Sequence, residues 1–307
     1  MSFRKFKYYL SNGLQVLVPN TIRRTLANSL IQATPLNSYI RDRVDYYNKL
    51  DTPFKLPESE STYVGEYKKI GGTTYYFDLH KVVKSFPSKH FFQFLNGDIR
   101  HIPDHPCFLK SRPVIEGNKN AVLLKLNEVR HFYFIDDKLS YRQKKDIAVW
   151  RGAGQKKHRK VVLEQFHSHP MCDIGRTHPI EDSPWEKGFL SVEQQLECKF
   201  VLAIEGNDVA TNLKWAMSSN SLVIMSKPKY ETWFMEGRLE AGIHYVEVAD
   251  DYSDLIEKME YYIAHPEEAE SIIKNSHAWV DQFRDQKRER LISLLVAKKY
   301  FEKSGQI

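Results

Sequence analysis

Cysteine is scarce in this chain: there are three in 307 residues, Cys107, Cys172 and Cys198, widely spaced and without a CxxC pair. That excludes a disulfide framework and a zinc ribbon and points to a reducing compartment. No run of about 18 apolar residues is free of charge. The start, MSFRKFKYYLSNGLQVLV, is basic but has neither the long apolar core nor the small-residue cleavage site of a secretory signal. The expectation is a cytoplasmic protein, with peripheral contact at the inner face of the cytoplasmic membrane left open. Walker A, GxGxxG, a serine nucleophile elbow, a kinase loop and HExxH are all missing. A large excess of one charge is missing too. Lys and Arg number 45 against 39 Asp and Glu, a net of +6 that is too small, and too evenly interspersed, to argue for nucleic acid.

What is present is a globular composition, 42% hydrophobic and 27% charged, which rules out disorder and collagen and allows one large domain or two of roughly 150 residues. The first 140 residues mix short apolar runs with charged stretches. Periodicity predicts a helix over 37–50 and strands over 73–79, 91–95, 108–110, 121–126 and 131–135. From Asp146 strands and helices alternate. Strands are expected at 146–150, 199–204, 221–225 and 244–248, with helices after the first two, a short helix over 231–239 and long helical patterns over 252–264 and 267–301. That alternation means βαβ units and a parallel sheet. A boundary in the polar run 136–145 gives two α/β domains, 1–140 and 141–307, facing across a cleft, with the last helix long enough to pack back on the first.

Ligands of open α/β sheets bind beyond the carboxyl ends of the strands, and two such loops carry suitable residues. In Trp150-Arg151-Gly152-Ala153-Gly154-Gln155-Lys156, glycines let backbone N–H groups approach a phosphate, the following helix adds partial positive charge, and Arg151 and Lys156 add full charge. The same pattern also suits a tight turn with solvated lysines. In Glu205-Gly206-Asn207-Asp208, with Asn212 and Lys214 beyond, a carboxylate can take both hydroxyls of a ribose and the amide and ammonium can meet a base or phosphate. Here the alternative is that Asn207 or Asp208 only caps the helix. His167, His169, Cys172 and His178 have no recognised zinc spacing, and Pro170 and Pro179 suggest a loop. Asp98 follows Gly97 at the end of an apolar run, Asp104 stands in Pro-Asp-His-Pro, and Lys110 and Arg112 follow. A carboxylate at a strand end facing a cleft is what a general base needs.

Taken together, WRGAG at 150–154, Asp173-x-Gly175, CKFVLAIEGNDVATNLKWAMSSNSLVI at 198–224 and HYVEV at 244–248 resemble glycosyltransferase family 90, which holds bacterial lipopolysaccharide-biosynthesis enzymes, capsule-associated proteins and protein O-glucosyltransferases. The resemblance implies two Rossmann-like domains of the GT-B type. It also implies inverting transfer, without metal or other cofactor, from a UDP-sugar to a hydroxyl of a lipopolysaccharide core or other surface glycan. On that resemblance Arg151, Gly152, Gly154 and Lys156 cradle the diphosphate, and Glu205 to Lys214 hold the nucleotide. Asp98 is the base with Asp104 as the alternative, and Lys110 and Arg112 stand across the cleft. Many relatives carry Arg where this chain has Asn212, which keeps open a non-catalytic nucleotide- or glycan-binding protein of the same fold.

Overall fold

A computed structural model describes residues 3–178 and 183–307; Pro179, cited above as a loop signal, lies outside them. The chain forms two compact units. One comprises Met1–His131, Tyr230–Met235 and Phe283–Ile307, the other Phe132–Lys229 and Glu236–Gln282.

The first unit opens with helices α1 (Phe3–Val16), α2 (Asn20–Ala33) and α3 (Ser38–Tyr47). The side chain of Asn37 accepts from the Ile40 N–H and so caps α3. Short strands β1 (Thr62–Tyr63) and β2 (Phe91–Phe92) pair antiparallel on either side of α4 (Thr73–Val83). The strand expected over 73–79 is thus a helix. Its tyrosines and threonines favour extended backbone locally, but Leu79, Val82 and Val83 recur at helical spacing and are buried. Strand β3 (Cys107–Leu109), β4 (Ser111–Pro113), β5 (Ala121–Leu123) and the short α5 (Glu128–His131) follow, with β3 and β5 parallel. No strand forms over 131–135. Among the described residues, the strands of this unit make two-stranded pieces rather than the doubly wound sheet implied for the first domain.

The second unit runs β6 (Lys145–Gly152), α6 (Lys157–Phe166), β7 (Cys172–Arg176), α7 (Val192–Gln195), β8 (Cys198–Leu202), α8 (Leu213–Met217) and β9 (Leu222–Met225). After β10 (Tyr230–Thr232), which pairs with β4 in the first unit, it resumes with β11 (Val246–Glu247), α9 (Leu255–Ala264) and α10 (Pro266–Asp281). The expected helix over 231–239 is replaced by β10 and a 3-10 turn, Glu236–Arg238. The last helix, α11 (Gln286–Lys303), belongs to the first unit. It is split from α10 where Asp285 accepts from the Lys287 and Arg288 N–H groups.

Five strands of the second unit form one all-parallel sheet in the order β11-β9-β8-β6-β7. Its central strands are buried on both faces, with Ala148, Val149, Phe200, Val201, Leu222 and Ile224 at most 2% exposed, which is why they read as unbroken apolar runs. In chain order the strands are arranged 5-4-3-1-2, so the crossover direction reverses between β6 and β8. Among the described residues no helix is long and apolar enough to cross a membrane.

Candidate active site

The reversal between β6 and β8 is a topological switch point, the place where an open parallel sheet leaves a crevice at its carboxyl edge. The loop after β6 (152–156) and the loop after β8 (203–212) both open there. They are tied together by a residue not singled out in the sequence, Arg159 in the first turn of α6. Its guanidinium donates to the carbonyls of Glu205 (2.8 Å), Ile204 (3.0 Å) and Ala153 (3.0 Å) and lies 5.3 Å from the centre of the Trp150 ring. His158 Nε2 also meets the Glu205 carbonyl, at 2.8 Å. The signal was a cation where the helix dipole disfavours one; it is tolerated because the carbonyls it binds carry the opposite partial charge.

Glycines in the first loop are required by close packing. A Cβ on Gly154 would lie 2.5 Å from Leu163 Cδ1 and 2.8 Å from Arg176 Cδ, and one on Gly152 would lie 2.6 Å from the Trp150 ring. The chain therefore runs tight against α6 and delivers Lys156 to its N-cap position, where no side chain caps the helix and the first turn holds no acid. Lys156, Lys157, His158 and Lys160 are all exposed there. Such crowding of cations on a helix N-terminus is unfavourable alone and is relieved by an anion.

Arg151 occupies a different place from the one expected. Its Nη2 reaches both carboxylate oxygens of Asp173 (2.8 and 2.9 Å), and the guanidinium also donates to the carbonyls of Asp173, Trp150 and Gly188. Its donors are directed at protein, and it fastens β6 to β7. Burial pushes the Asp173 carboxyl up, but Arg151 and Lys187 outweigh it and hold the group below its ordinary range. Lys214 is likewise an internal residue: fully buried, it pairs with Glu236, whose side chain is 1% exposed. The Asn212 amide donates to the Leu202 carbonyl at 2.8 Å, closing the end of β8. Glu205 is half-buried and accepts from the Lys229 N–H at 3.0 Å. Gly206 donates to the Asp208 carbonyl, Asn207 is exposed and Asp208 is buried. The expected helix start at 209 moves to Leu213, so neither Asn207 nor Asp208 is its cap.

In the first unit, Gly97 has φ +106°, a conformation glycine adopts without strain, and the turn it makes sets Asp98 against Lys110. The two form an ion pair in which the lysine side chain is 3% and the carboxylate 29% exposed. The carboxylate thus stays partly exposed while a buried ammonium holds it. Asp104 lies elsewhere, lining a cavity of about 330 Å³ with Glu60, Gln93, His101 and His105. Arg112 is fully buried. It pairs with Glu231 at 2.7 Å and donates to the carbonyls of Tyr46, Tyr47 and Ala121, so it is part of the core and not a cation facing a ligand.

His167 ends α6, His169 Nδ1 accepts from the Met171 N–H, and His178 meets the Thr177 hydroxyl. Cys172 lies buried in β7, its thiol raised by burial to about 12. Among the described residues no three His, Cys, Asp or Glu side chains are grouped to hold a metal.

A switch-point crevice rimmed by cations suits a phosphorylated donor, and comparison with known proteins supplies the class: this is a glycosyltransferase. The chain belongs to glycosyl transferase family 90, whose family model matches residues 124–288. It is also similar to O-glucosyltransferase LpsA of Dichelobacter nodosus, 45% identical over 305 residues that cover 97% of this chain and 96% of that protein. A 90-residue stretch is 30% identical to uncharacterized protein 035R of Invertebrate iridescent virus 3, covering 29% of this chain and 8% of that protein.

Proposed function

We propose that the chain is an inverting glucosyltransferase of the GT-B type that moves glucose from UDP-glucose to a hydroxyl of a lipopolysaccharide core or related surface glycan. The observation that carries this reading is the near full-length likeness to an O-glucosyltransferase. It spans the Asp98 turn as well as the sheet, whereas the family match begins only at residue 124.

Inverting transfer needs the acceptor oxygen to attack the anomeric carbon from the face opposite UDP. The C–O bond to the acceptor forms as the C–O bond to the diphosphate breaks, and the acceptor proton passes to a carboxylate. Asp98 suits the last task because the buried Lys110 ammonium orients its carboxylate, which stays 29% exposed. The departing diphosphate suits the start of α6, where the backbone N–H groups of the first turn and Lys156 and Lys157 meet developing charge. Glu205, whose carboxylate accepts from the Lys229 N–H, is assigned the ribose hydroxyls. In this scheme the chain's own cations stand where other transferases use a metal ion, and Arg151, Asn212 and Lys214 support the loops from behind.

UDP release from UDP-glucose with purified protein and de-acylated lipopolysaccharide, with and without a chelator, tests the reading; the anomeric configuration of the product reports inversion. Asp98→Asn is expected to lower turnover by about 10²–10⁴ with UDP affinity unchanged, and Asp104→Asn to leave most activity. A chain that binds no UDP and releases none from any donor overturns the proposal. Loss of activity on chelation overturns its metal-free part, and an Asp104→Asn collapse reassigns the base.

A further inference from the structure

The N-terminal helix is amphipathic in the wrong sense for a helix that only packs on its own fold. Its inward side carries Tyr8, whose hydroxyl donates to Asp78, and Tyr9, both edge-on to Phe77, with the buried Asn12 on the same side. Its outward side carries Phe3, Phe6, Leu10 and Leu14, continued by Leu17, and these are 81%, 51%, 53%, 59% and 77% exposed. At about 100° per residue these five fall within an arc of about 80°. Ile22 and Leu26, one turn apart on α2, are exposed as well. These seven are concentrated in the first 26 residues, although only 17 large apolar side chains are exposed among the described residues of the whole chain.

Through residue 41 the charged side chains of the sequence are all basic, while the acids near α1, Asp78 and Glu128, lie on its inward side. Arg4, Lys5, Lys7, Arg23, Arg24 and Arg41 all precede the first acidic residue, Asp42. Lys5 and Lys7 are exposed and enter no ion pair among the described residues. A second copy of the chain would bring like charges together on a self-complementary face, and a nucleic acid has no use for a leucine stripe. At 14 residues, α1 is short of the roughly 20 needed to span a bilayer. An apolar stripe with Lys7 at its edge, on a short helix that carries no acid, fits the interface of an anionic membrane, with the apolar side chains in the acyl boundary and the cation among the headgroups.

We propose that α1, with the adjoining Ile22 and Leu26 of α2, is a docking surface that lays the first unit on an anionic phospholipid bilayer. This does not depend on the donor assignment.

Flotation of the purified full-length chain with vesicles of phosphatidylcholine, alone or mixed with phosphatidylglycerol, tests it. The wild type is expected to bind the mixed vesicles, less so as salt rises, and to ignore the neutral ones. Phe6→Ser, Leu10→Ser and Leu14→Ser combined should weaken partitioning on the order of a hundredfold, and Lys7→Glu by about fivefold or more. Because these side chains are exposed, circular dichroism, melting and turnover on a water-soluble acceptor should not change. The proposal is overturned by absence of vesicle binding, by equal binding to neutral vesicles, or by a triple variant that still binds. A concentration-dependent dimer that the same substitutions abolish, without vesicle binding, would make the stripe a self-association face and also overturn it. So would loss of soluble-acceptor turnover with vesicle binding intact, which would make the stripe part of the acceptor site.

Discussion

Replacing Lys214 by methionine separates two roles that its position in the sequence leaves open. If the ammonium serves the donor, its loss weakens binding of the nucleotide sugar and leaves the fold alone. The structure puts it inside the second unit, paired with Glu236 at side-chain exposures of 0% and 1% and 5.9 Å from the centre of the Phe132 ring. Removing the ammonium takes the opposite charge from a buried carboxylate, a loss of about 3–5 kcal/mol. At the usual size-dependent sensitivity this is a fall in melting temperature on the order of 10 °C. Glu236→Leu alone should cost a similar amount. The double variant Lys214→Met/Glu236→Leu should recover most of the loss, because two packed apolar side chains replace a desolvated pair. Thermal melts and urea midpoints of the four proteins give the coupling energy, and donor affinity by calorimetry supplies the second axis. The reasoning is refuted if Lys214→Met leaves the melting temperature unchanged while UDP affinity falls tenfold or more.

Gly154→Ala places a methyl 2.5 Å from Leu163 and 2.8 Å from Arg176; it should destabilise by about 1–3 kcal/mol in denaturant melts and raise the donor KM, because the displaced segment carries the start of α6. His80, buried beside Arg23 and Lys84, is held down to about 4 from 6.5, first by burial and then by those two cations. The folded protein refuses a proton that the unfolded chain accepts. His80 therefore makes stability independent of pH above about 6.5 and lower as pH falls toward about 4. Urea midpoints across that range should slope less steeply in His80→Gln than in the wild type.

The second unit was largely legible in the sequence because its central strands are buried on both faces and so appear as unbroken apolar runs between turn residues. Trp150, Phe200 and Ile224 each sit in the strand expected of them. The first unit was less legible. Its strands are two or three residues long, too short for alternation to show, and the aromatic run of α4 imitates a strand. Of the candidate site, the two loops were found by their glycines and acids, but the partners of their charges were not. Arg151 and Asp173 are 22 residues apart, and Lys214 and Glu236 are also 22 apart. Such pairings are set by sheet register and loop path, and nothing local distinguishes a lysine bound for the interior from one bound for a phosphate. Arg159 was overlooked for the converse reason, since on a basic helix start it looked like one more solvated cation.

Two of the buried ion pairs in the first unit are closed by late segments of the chain. Arg43 of α3 meets Glu289 of α11, and Arg112 of β4 meets Glu231 of β10. On a ribosome, each arginine is made long before its carboxylate, and most of the sequence between them belongs to the second unit. All five strands of the parallel sheet are therefore made while the other unit still lacks Glu289, the partner of Arg43, and its longest helix. The unit that holds residues 3–131 is thus complete only once residues 283–307 have been made. For the same reason no single cut separates the two halves: a fragment ending at residue 131 would lack Glu289 and Glu231, the carboxylates that pair with Arg43 and Arg112.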